Sequence, residues 1–201
     1  MTRIIAGVAG GRALAVPPGR LTRPTSDRAR EGLFATVLAT LGSLAGAAVA
    51  DLYAGSGAVG IEALSRGAAE AMLVEADPKA AGVIRQNIAS IGLPGARLIH
   101  DRVERVLRRG PGPDRPRDLV FADPPYAAGD DEIAWLLSEL ACHRWLASGG
   151  LVVVERRTRS GPLPWPDWYA PDRSRRYGEA TLWYGRAAGD AAASAAPMTG
   201  A

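Results

Sequence analysis

The 201-residue chain predicts a doubly wound α/β fold, a mostly parallel, twisted sheet with helices on both faces. Three observations predict it. Short apolar runs alternate with helical stretches from about residue 47 to residue 155, the pattern of βαβ units. A glycine-bearing turn, Gly55-Ser-Gly-Ala-Val-Gly60, joins the first of these runs to the first of these helices. The run Leu119-Val-Phe-Ala122 ends on Asp123-Pro-Pro-Tyr126, which delivers polar and aromatic groups to a strand's carboxyl end, where open α/β sheets bind ligands.

Taken in order, Arg3-Ile-Ile-Ala-Gly7 and Arg12-Ala-Leu-Ala-Val16 flank Gly10-Gly11, and Pro17-Pro18-Gly19 closes the segment. Residues 2–21 therefore read as a short hairpin or extended arm, an appendage to the core. Thr25 or Ser26 can cap a helix whose apolar positions Leu33, Phe34, Val37, Leu38 and Leu41 recur at helical spacing, so that it packs on the main domain. Strands are predicted at Ala47–Tyr53, Ala71–Glu75, Arg97–His100, Leu119–Ala122 and Leu151–Glu155. Helices are predicted from Gly57, from Pro78, around Val103 and from Asp131. Pro162, Pro164, Trp165, Pro166 and Trp168 then lead into residues 173–185, where Tyr177-Gly-Glu179 predicts the turn of an antiparallel hairpin finishing the sheet. The organisation is an N-terminal arm (1–22), one catalytic domain (23–186) and an alanine-rich tail (187–201) without amphipathic pattern, read as disordered. Arg108–Arg117 reads as a loop that demands no function.

Composition bounds the chemistry. With 47% hydrophobic residues the chain can bury one full core. The single Cys142 offers no internal disulfide, and His100 and His143 lie far apart, so neither a disulfide framework nor a metal site is expected. Cys142-His143 reads as a packed thiol beside a surface imidazole, not a nucleophilic pair. No apolar leader or membrane-length run occurs, so a cytoplasmic protein is expected. A monomer is a separate expectation that these absences do not supply. Net charge is only +3, but residues 1–30 carry six arginines against Asp27, a local excess of five. Within that cluster Arg3, Arg12, Arg20 and Arg23 are the candidate nucleic-acid contacts, because guanidinium groups pair bidentately with phosphates. A second cluster comprises Arg156, Arg157, Arg159, Arg173, Arg175 and Arg176, with Asp167 and Asp172 between its ends. Against both stands a global bias: Lys79 is the one lysine beside 23 arginines, so arginine fills any cationic position.

In the glycine turn, Gly55, Ser56 and Gly57 can bend tightly and leave bare backbone against a cofactor. Glu75, twenty residues past Gly55 at a strand end, can accept both hydroxyls of an adenosine ribose. That pair suits NAD as well as S-adenosylmethionine. Asp51 separates the two: a carboxylate beside the loop can hold the amino-acid part of S-adenosylmethionine and repels a pyrophosphate. The chain also lacks a second nucleotide-binding half and a Tyr-x-x-x-Lys relay. Asp101 fits either an adenine amino group or a helix N-cap for residues 102–108. The candidate cofactor contacts are thus Asp51, Tyr53, Gly55, Ser56, Gly57, Glu75 with its neighbour Ala76, Asp101 with Arg102, and Asp123.

The candidate catalytic residues are Asp123, Pro124, Pro125 and Tyr126. The exocyclic amine of a nucleobase is a weak nucleophile because its lone pair is delocalised into the ring. Hydrogen bonds from its two N–H groups to the Asp123 carboxylate and the Pro124 carbonyl favour a pyramidal nitrogen and aim the lone pair. The prolines fix the backbone, and Tyr126 can stack on a base taken out of its own stack.

These strings carry a family resemblance. Arg23-Pro-Thr-Ser-Asp-Arg-Ala-Arg-Glu31, the segment Asp51–Gly67, Val74-Glu-Ala-Asp77 and Phe121-Ala-Asp-Pro-Pro-Tyr126 resemble the RsmD family, bacterial methyltransferases that modify one guanine N2 of small-subunit (16S) ribosomal RNA. The resemblance runs from about Arg3 to Gly185, and its most specific part is the Arg23–Glu31 string. It implies a Rossmann-like, class I S-adenosylmethionine-dependent methyltransferase fold, S-adenosylmethionine as cofactor, and ribosomal RNA, naked or in an assembling 30S particle, as partner. It places Thr25 and Arg28 near the cofactor's methionine end and Arg23 with the preceding arm on RNA, while Thr25 serves equally as a helix cap. Competing expectations are an N-methyltransferase for an amino group of another RNA or DNA base, an NAD-dependent oxidoreductase, and a noncatalytic RNA-binding assembly factor.

Overall fold

The computed structural model describes residues 2–17, 26–125 and 127–188. Its central sheet has seven strands in the order β5-β4-β3-β6-β7-β9-β8. These are β3 (Ala48–Leu52), β4 (Glu70–Val74), β5 (Ala96–Ile99), β6 (Arg117–Ala122), β7 (Leu146–Arg157), β8 (Tyr169–Tyr177) and β9 (Ala180–Ala187). Strands β3 to β7 run parallel, and β9 and β8 return antiparallel to close the far edge. The order reverses at β3, whose neighbours are β4 and β6. At that point the chain leaves in opposite directions and a crevice opens above the strand ends.

Strand residues alternate between two cores. One packs α1 (Asp27–Leu41), α2 (Ala58–Ser65) and α3 (Pro78–Ile91) over Val49, Leu73, Phe121, Val153, Leu182 and Tyr184. The other packs α4 (Val103–Arg108) and α5 (Asp130–Cys142) over Ala50, Leu52, Met72, Val120, Val152 and Val154. Local chemistry sets the boundaries. Ser26 caps α1 by accepting the Ala29 N–H at 3.2 Å, and Asp77 caps α3 by accepting the Ala80 N–H at 2.8 Å, with Pro78 at the first helical position. The predicted C-terminal hairpin forms, with Tyr177 opposite Ala180 and Gly178 at φ 64° in the turn.

The N-terminal segment differs from the expected appendage. Strands β1 (Thr2–Arg3) and β2 (Ala13–Leu14) make a small antiparallel sheet whose Ile4, Ala9 and Leu14 are buried in the first core. The fully buried Glu62 of α2 accepts the Ile5 N–H at 2.7 Å and the Ala6 N–H at 3.0 Å. Ser65 accepts from Ala9 and donates to the Ala6 carbonyl. The basic cluster is correspondingly smaller than its sequence count. Arg30 is fully buried, bonded to Asp27 at 3.0 Å and to the Arg3 carbonyl, with its Nε 3.7 Å from Glu62. Arg12 donates to the Ser90 carbonyl and, at 2.8 Å, to the Ile91 carbonyl, satisfying the last turn of α3. Arg3 lies 3.8 Å from Asp27.

Two further departures have physical causes. Arg117, expected at the end of a featureless loop, is buried at the start of β6, held by Asp114 at 2.8 Å and Glu70 at 3.2 Å. Strand β7 extends well before Leu151, because Arg117 pairs with Leu146 before the register shifts and Leu119 pairs with Leu151. Among the described residues no helix is long and apolar enough to cross a membrane.

Removing one member of a buried ion network strands the others away from water, at a typical cost of about 3–5 kcal/mol. Glu62→Ala should therefore lower unfolding free energy by about 3 kcal/mol or more in urea titrations. A loss under about 1 kcal/mol would mean that apolar contacts alone dock the N-terminal hairpin.

Candidate active site

The β3–β6 register brings both sequence motifs to one crevice. Asp51 pairs with Phe121 and Leu52 with Ala122, so the glycine turn and Asp123-Pro124-Pro125 leave adjacent strand ends, about 5 Å apart. The Asp123 N–H donates back to the Leu52 carbonyl at 3.3 Å, and the Ala128 N–H donates to the Pro125 carbonyl at 2.8 Å, which turns the chain after the prolines. Asp123 is half-buried, Pro124 buried and Pro125 exposed. Tyr126 lies outside the described residues, as do Arg20, Arg23 and Thr25.

The glycine turn is built from three devices. Tyr53 sits at φ 61°, a left-handed conformation uncommon for a residue with a side chain and enriched at functional sites. Gly55 and Gly57 also have positive φ, and a Cβ on Gly57 would lie 2.8 Å from Leu73 Cδ2. Gly60 approaches Leu73 nearly as closely, so Gly57 and Gly60 serve helix-on-strand packing, while Gly55 serves the turn itself. Ser56 is buried, and its carbonyl accepts at 2.9 Å from the amide of Asn87 on α3. The same Asn87 side chain brackets Ala15, accepting its N–H at 2.8 Å and donating to its carbonyl at 3.0 Å.

Carboxylates surround the turn. Glu75, 4% exposed, accepts the Gly55 N–H and the Asp77 N–H, each at 2.8 Å. Asp51, 2% exposed, accepts the Gly60 N–H at 2.9 Å. Burial pushes its carboxyl up to about 8; the Gly60 N–H and the charge of Arg30 oppose that rise and the charge of Glu75 adds to it. Asp101 stands at the end of β5, on the same rim as Glu75. It accepts the Arg102 N–H at 2.8 Å and pairs with Arg109 at 2.8 Å and Arg105 at 3.6 Å. That N–H bond, ahead of the two arginines, holds its carboxyl below the usual range. Arg102 itself is the cap residue of α4, and its side chain makes no cap bond. Ala76 and Arg102 are exposed beside Glu75 and Asp101, and Arg28 is exposed in the first turn of α1.

A cavity of about 470 Å³ opens beside the Asp123-Pro-Pro segment, lined among others by Tyr53, Pro124, Pro125, Glu104, Arg108 and Trp135. Arg108 lies over the Trp135 ring at 5.5 Å, and burial pushes the Tyr53 hydroxyl well above the usual phenol range. The residues that sequence reasoning missed are these cavity walls from α4 and α5, together with Asn87. Their only signal is position, since α4 and α5 follow the strands that bring Asp101 and Asp123 to the rim.

Asp51 generates a pH dependence. Its folded pKa lies above the unfolded value of about 3.9, so folding takes up a proton between those values. The associated stabilisation is complete below about pH 4 and is lost as pH rises through about 8. Without added ligand, wild-type stability should therefore fall relative to Asp51→Asn between about pH 5 and pH 8. Parallel profiles in denaturant titrations would show that Asp51 does not hold a proton.

With this geometry in view, known proteins can be set beside it. The family model described as "Conserved hypothetical protein 95" matches residues 2–186. The chain is 37% identical over 160 residues to "Ribosomal RNA small subunit methyltransferase D" of Escherichia coli (strain K12), covering 79% of this chain and 76% of that one. It is 33% identical over 167 residues to the protein of the same name from Haemophilus influenzae, covering 82% and 83%. A solved Escherichia coli structure, yhhF, named as a candidate methyltransferase, superposes with a TM-score of 0.81 at 33% identity, covering 94% of this chain and 99% of that one. The matched span takes in the docked hairpin, the glycine turn, Asp123-Pro-Pro and the C-terminal hairpin, and on that footing the chain belongs to the RsmD family.

Proposed function

We propose that this protein transfers a methyl group from S-adenosylmethionine to the exocyclic N2 of the guanine at position 966 of 16S ribosomal RNA. The observation that carries the reading is the pairing of Asp51-Leu52 with Phe121-Ala122, which sets an acidic, glycine-lined cofactor crevice one strand spacing from Asp123-Pro124. The target base and position follow from the family, because the Asp123 segment would hold an adenine amine equally well.

The crevice suits the cofactor in charge. When bound, S-adenosylmethionine supplies a methyl group on a cationic sulfur, already activated toward an amine. The carboxylates of Asp51, Glu75 and Asp123 favour a cation between them and disfavour the pyrophosphate of a dinucleotide. Glu75 would accept the ribose hydroxyls, Asp51 the ammonium of the methionine end, and Asp101 the adenine amino group, with Tyr53, Gly55, Ser56, Gly57, Ala76 and Arg102 forming the wall. Family likeness adds Thr25 and Arg28 at the methionine end. Asp123 and the Pro124 carbonyl would hold both N–H groups of the target amine, Tyr126 would stack on the extruded base, and the proton would leave after transfer. On the RNA side, Arg20 and Arg23 join Arg3, with Arg12 already committed to the end of α3.

Asp123→Ala removes an oriented, charge-assisted bond and should cut turnover by about two to three orders of magnitude while affecting cofactor affinity much less. Full turnover by that variant would refute the assigned role. An ammonium at Asp51 favours the ionised carboxylate, so affinity for S-adenosylhomocysteine should rise by up to about tenfold per pH unit between roughly pH 6 and 8. Calorimetry should find this slope absent in Asp51→Asn; equal slopes would move the ammonium elsewhere. The reading as a whole is tested by radiolabelled methyl transfer to naked ribosomal RNA and to small-subunit particles from cells lacking the protein. Label in N2-methylguanosine at one site supports it, label in another nucleoside rejects the target base, and no label on either substrate rejects enzymatic activity.

A further inference from the structure

The arginine cluster near the C-terminus sits on the same rim as the catalytic segment, which its sequence position does not reveal. Ala122 pairs with Val154, Glu155 with Leu182, and Leu182 with Arg175; Arg156 pairs with Thr181, and Thr181 with Arg176. Asp123, one residue past Ala122, therefore shares a row with Glu155, Leu182 and Arg175. Three strand spacings separate β6 from β8, about 14 Å. Arg175 and Arg176 are exposed on the edge strand. Arg159 joins them from the turn after β7, which is fastened to the hairpin by the Thr158 N–H donating to the Glu179 carbonyl at 2.7 Å and by the Thr158 hydroxyl donating to the Gly178 carbonyl at 3.3 Å.

A global arginine bias does not account for how these charges are paired. On the opposite, amino-end rim, arginines are matched with acids: Arg97 with Asp114, Arg115 with Glu70 and Asp118, Arg117 with Glu70 and Asp114. Among the described residues Arg159, Arg175 and Arg176 form no ion pair; Arg173 pairs with Asp172, and Arg176 Nε donates to the Gly178 carbonyl at 3.1 Å. The acids nearest to them in sequence are Glu155 for Arg159, Asp172 for Arg175 and Glu179 for Arg176. The N-terminal cluster runs the other way, with Arg30 buried and Arg12 capping α3.

We propose that Arg159, Arg175 and Arg176 form a phosphate-binding surface for the RNA backbone flanking the target base. The proposal rests on the RNA methyltransferase reading and adds to it where the strand runs: from the crevice across the carboxyl end of β7 and the amino end of the antiparallel β9 to the carboxyl end of the β8 edge strand. About 14 Å corresponds to roughly four nucleotides at a rise of about 3.4 Å per nucleotide. Guanidinium groups on a rigid hairpin then position the strand without reading its sequence.

The test is the double variant Arg175→Ala/Arg176→Ala, compared with Arg97→Ala/Arg115→Ala on the opposite rim. Removing two phosphate contacts should flatten the slope of log affinity against log salt by about 1.4–1.8. The KM for RNA should rise several-fold, while kcat at saturating RNA and affinity for S-adenosylhomocysteine stay near wild type. The opposite-rim pair should change none of these. If the double variant does not fold, Arg159→Ala alone should flatten the slope by about 0.7–0.9. Wild-type protein that methylates RNA while the rim variants keep its slope and KM overturns this surface alone; an equal loss in the opposite-rim variant also overturns it. Wild-type protein that neither binds nor methylates RNA overturns both this surface and the enzymatic reading.

Discussion

The site depends on the parallel pairing of β3 with β4 on one side and β6 on the other. Parallel neighbours end on the same rim, so Asp51, Glu75 and Asp123, far apart in sequence, meet above three adjacent strands. The pairing also dictates the glycines: Gly57 and Gly60 press against Leu73 of β4, and α2 could not lie as close to the sheet with side chains there. A shift of one residue in β3 would turn Asp51 to the opposite face and carry Leu52 into the first core.

Around that frame the molecule spends buried polar groups to fix what a hydrophobic core cannot specify. Glu62 gathers two backbone N–H groups, Arg66 and Arg30, and Asn87 joins Ala15 to the Ser56 carbonyl. Such groups add little net stability over apolar substitutes, but a partner left unpaired costs several kcal/mol, so they select one docking position for the hairpin. The cofactor turn is thereby held from beneath by the N-terminal segment, which joins the fold's least regular part to its most constrained one.

The electrostatics divide the surface into rims of opposite character. At the crevice, burial makes Asp51 resist ionisation, and the nearby charge of Glu75 adds to that. An acidic crevice beside a cationic edge would give the cofactor and the RNA of the proposed reaction separate places on one rim. The amino-end rim is internally neutralised by its ion pairs.

The sequence by itself determined the alternation of strands and helices, the glycine turn, a cap at Thr25 or Ser26 for the first helix, the C-terminal hairpin turn and the candidate residues at strand ends. These are local: hydrophobic period, φ preference and capping chemistry act within a few residues of the chain. Tertiary structure alone decided that the N-terminal arm is core rather than appendage, because its partners Glu62, Ser65 and Asn87 lie more than fifty residues away. It alone decided which arginines are paired internally and which stand exposed on the rim that carries Asp123. A charge's sign is written in the residue, but its burial and its partners depend on strand order, and strand order is set by long-range pairing that no local pattern encodes.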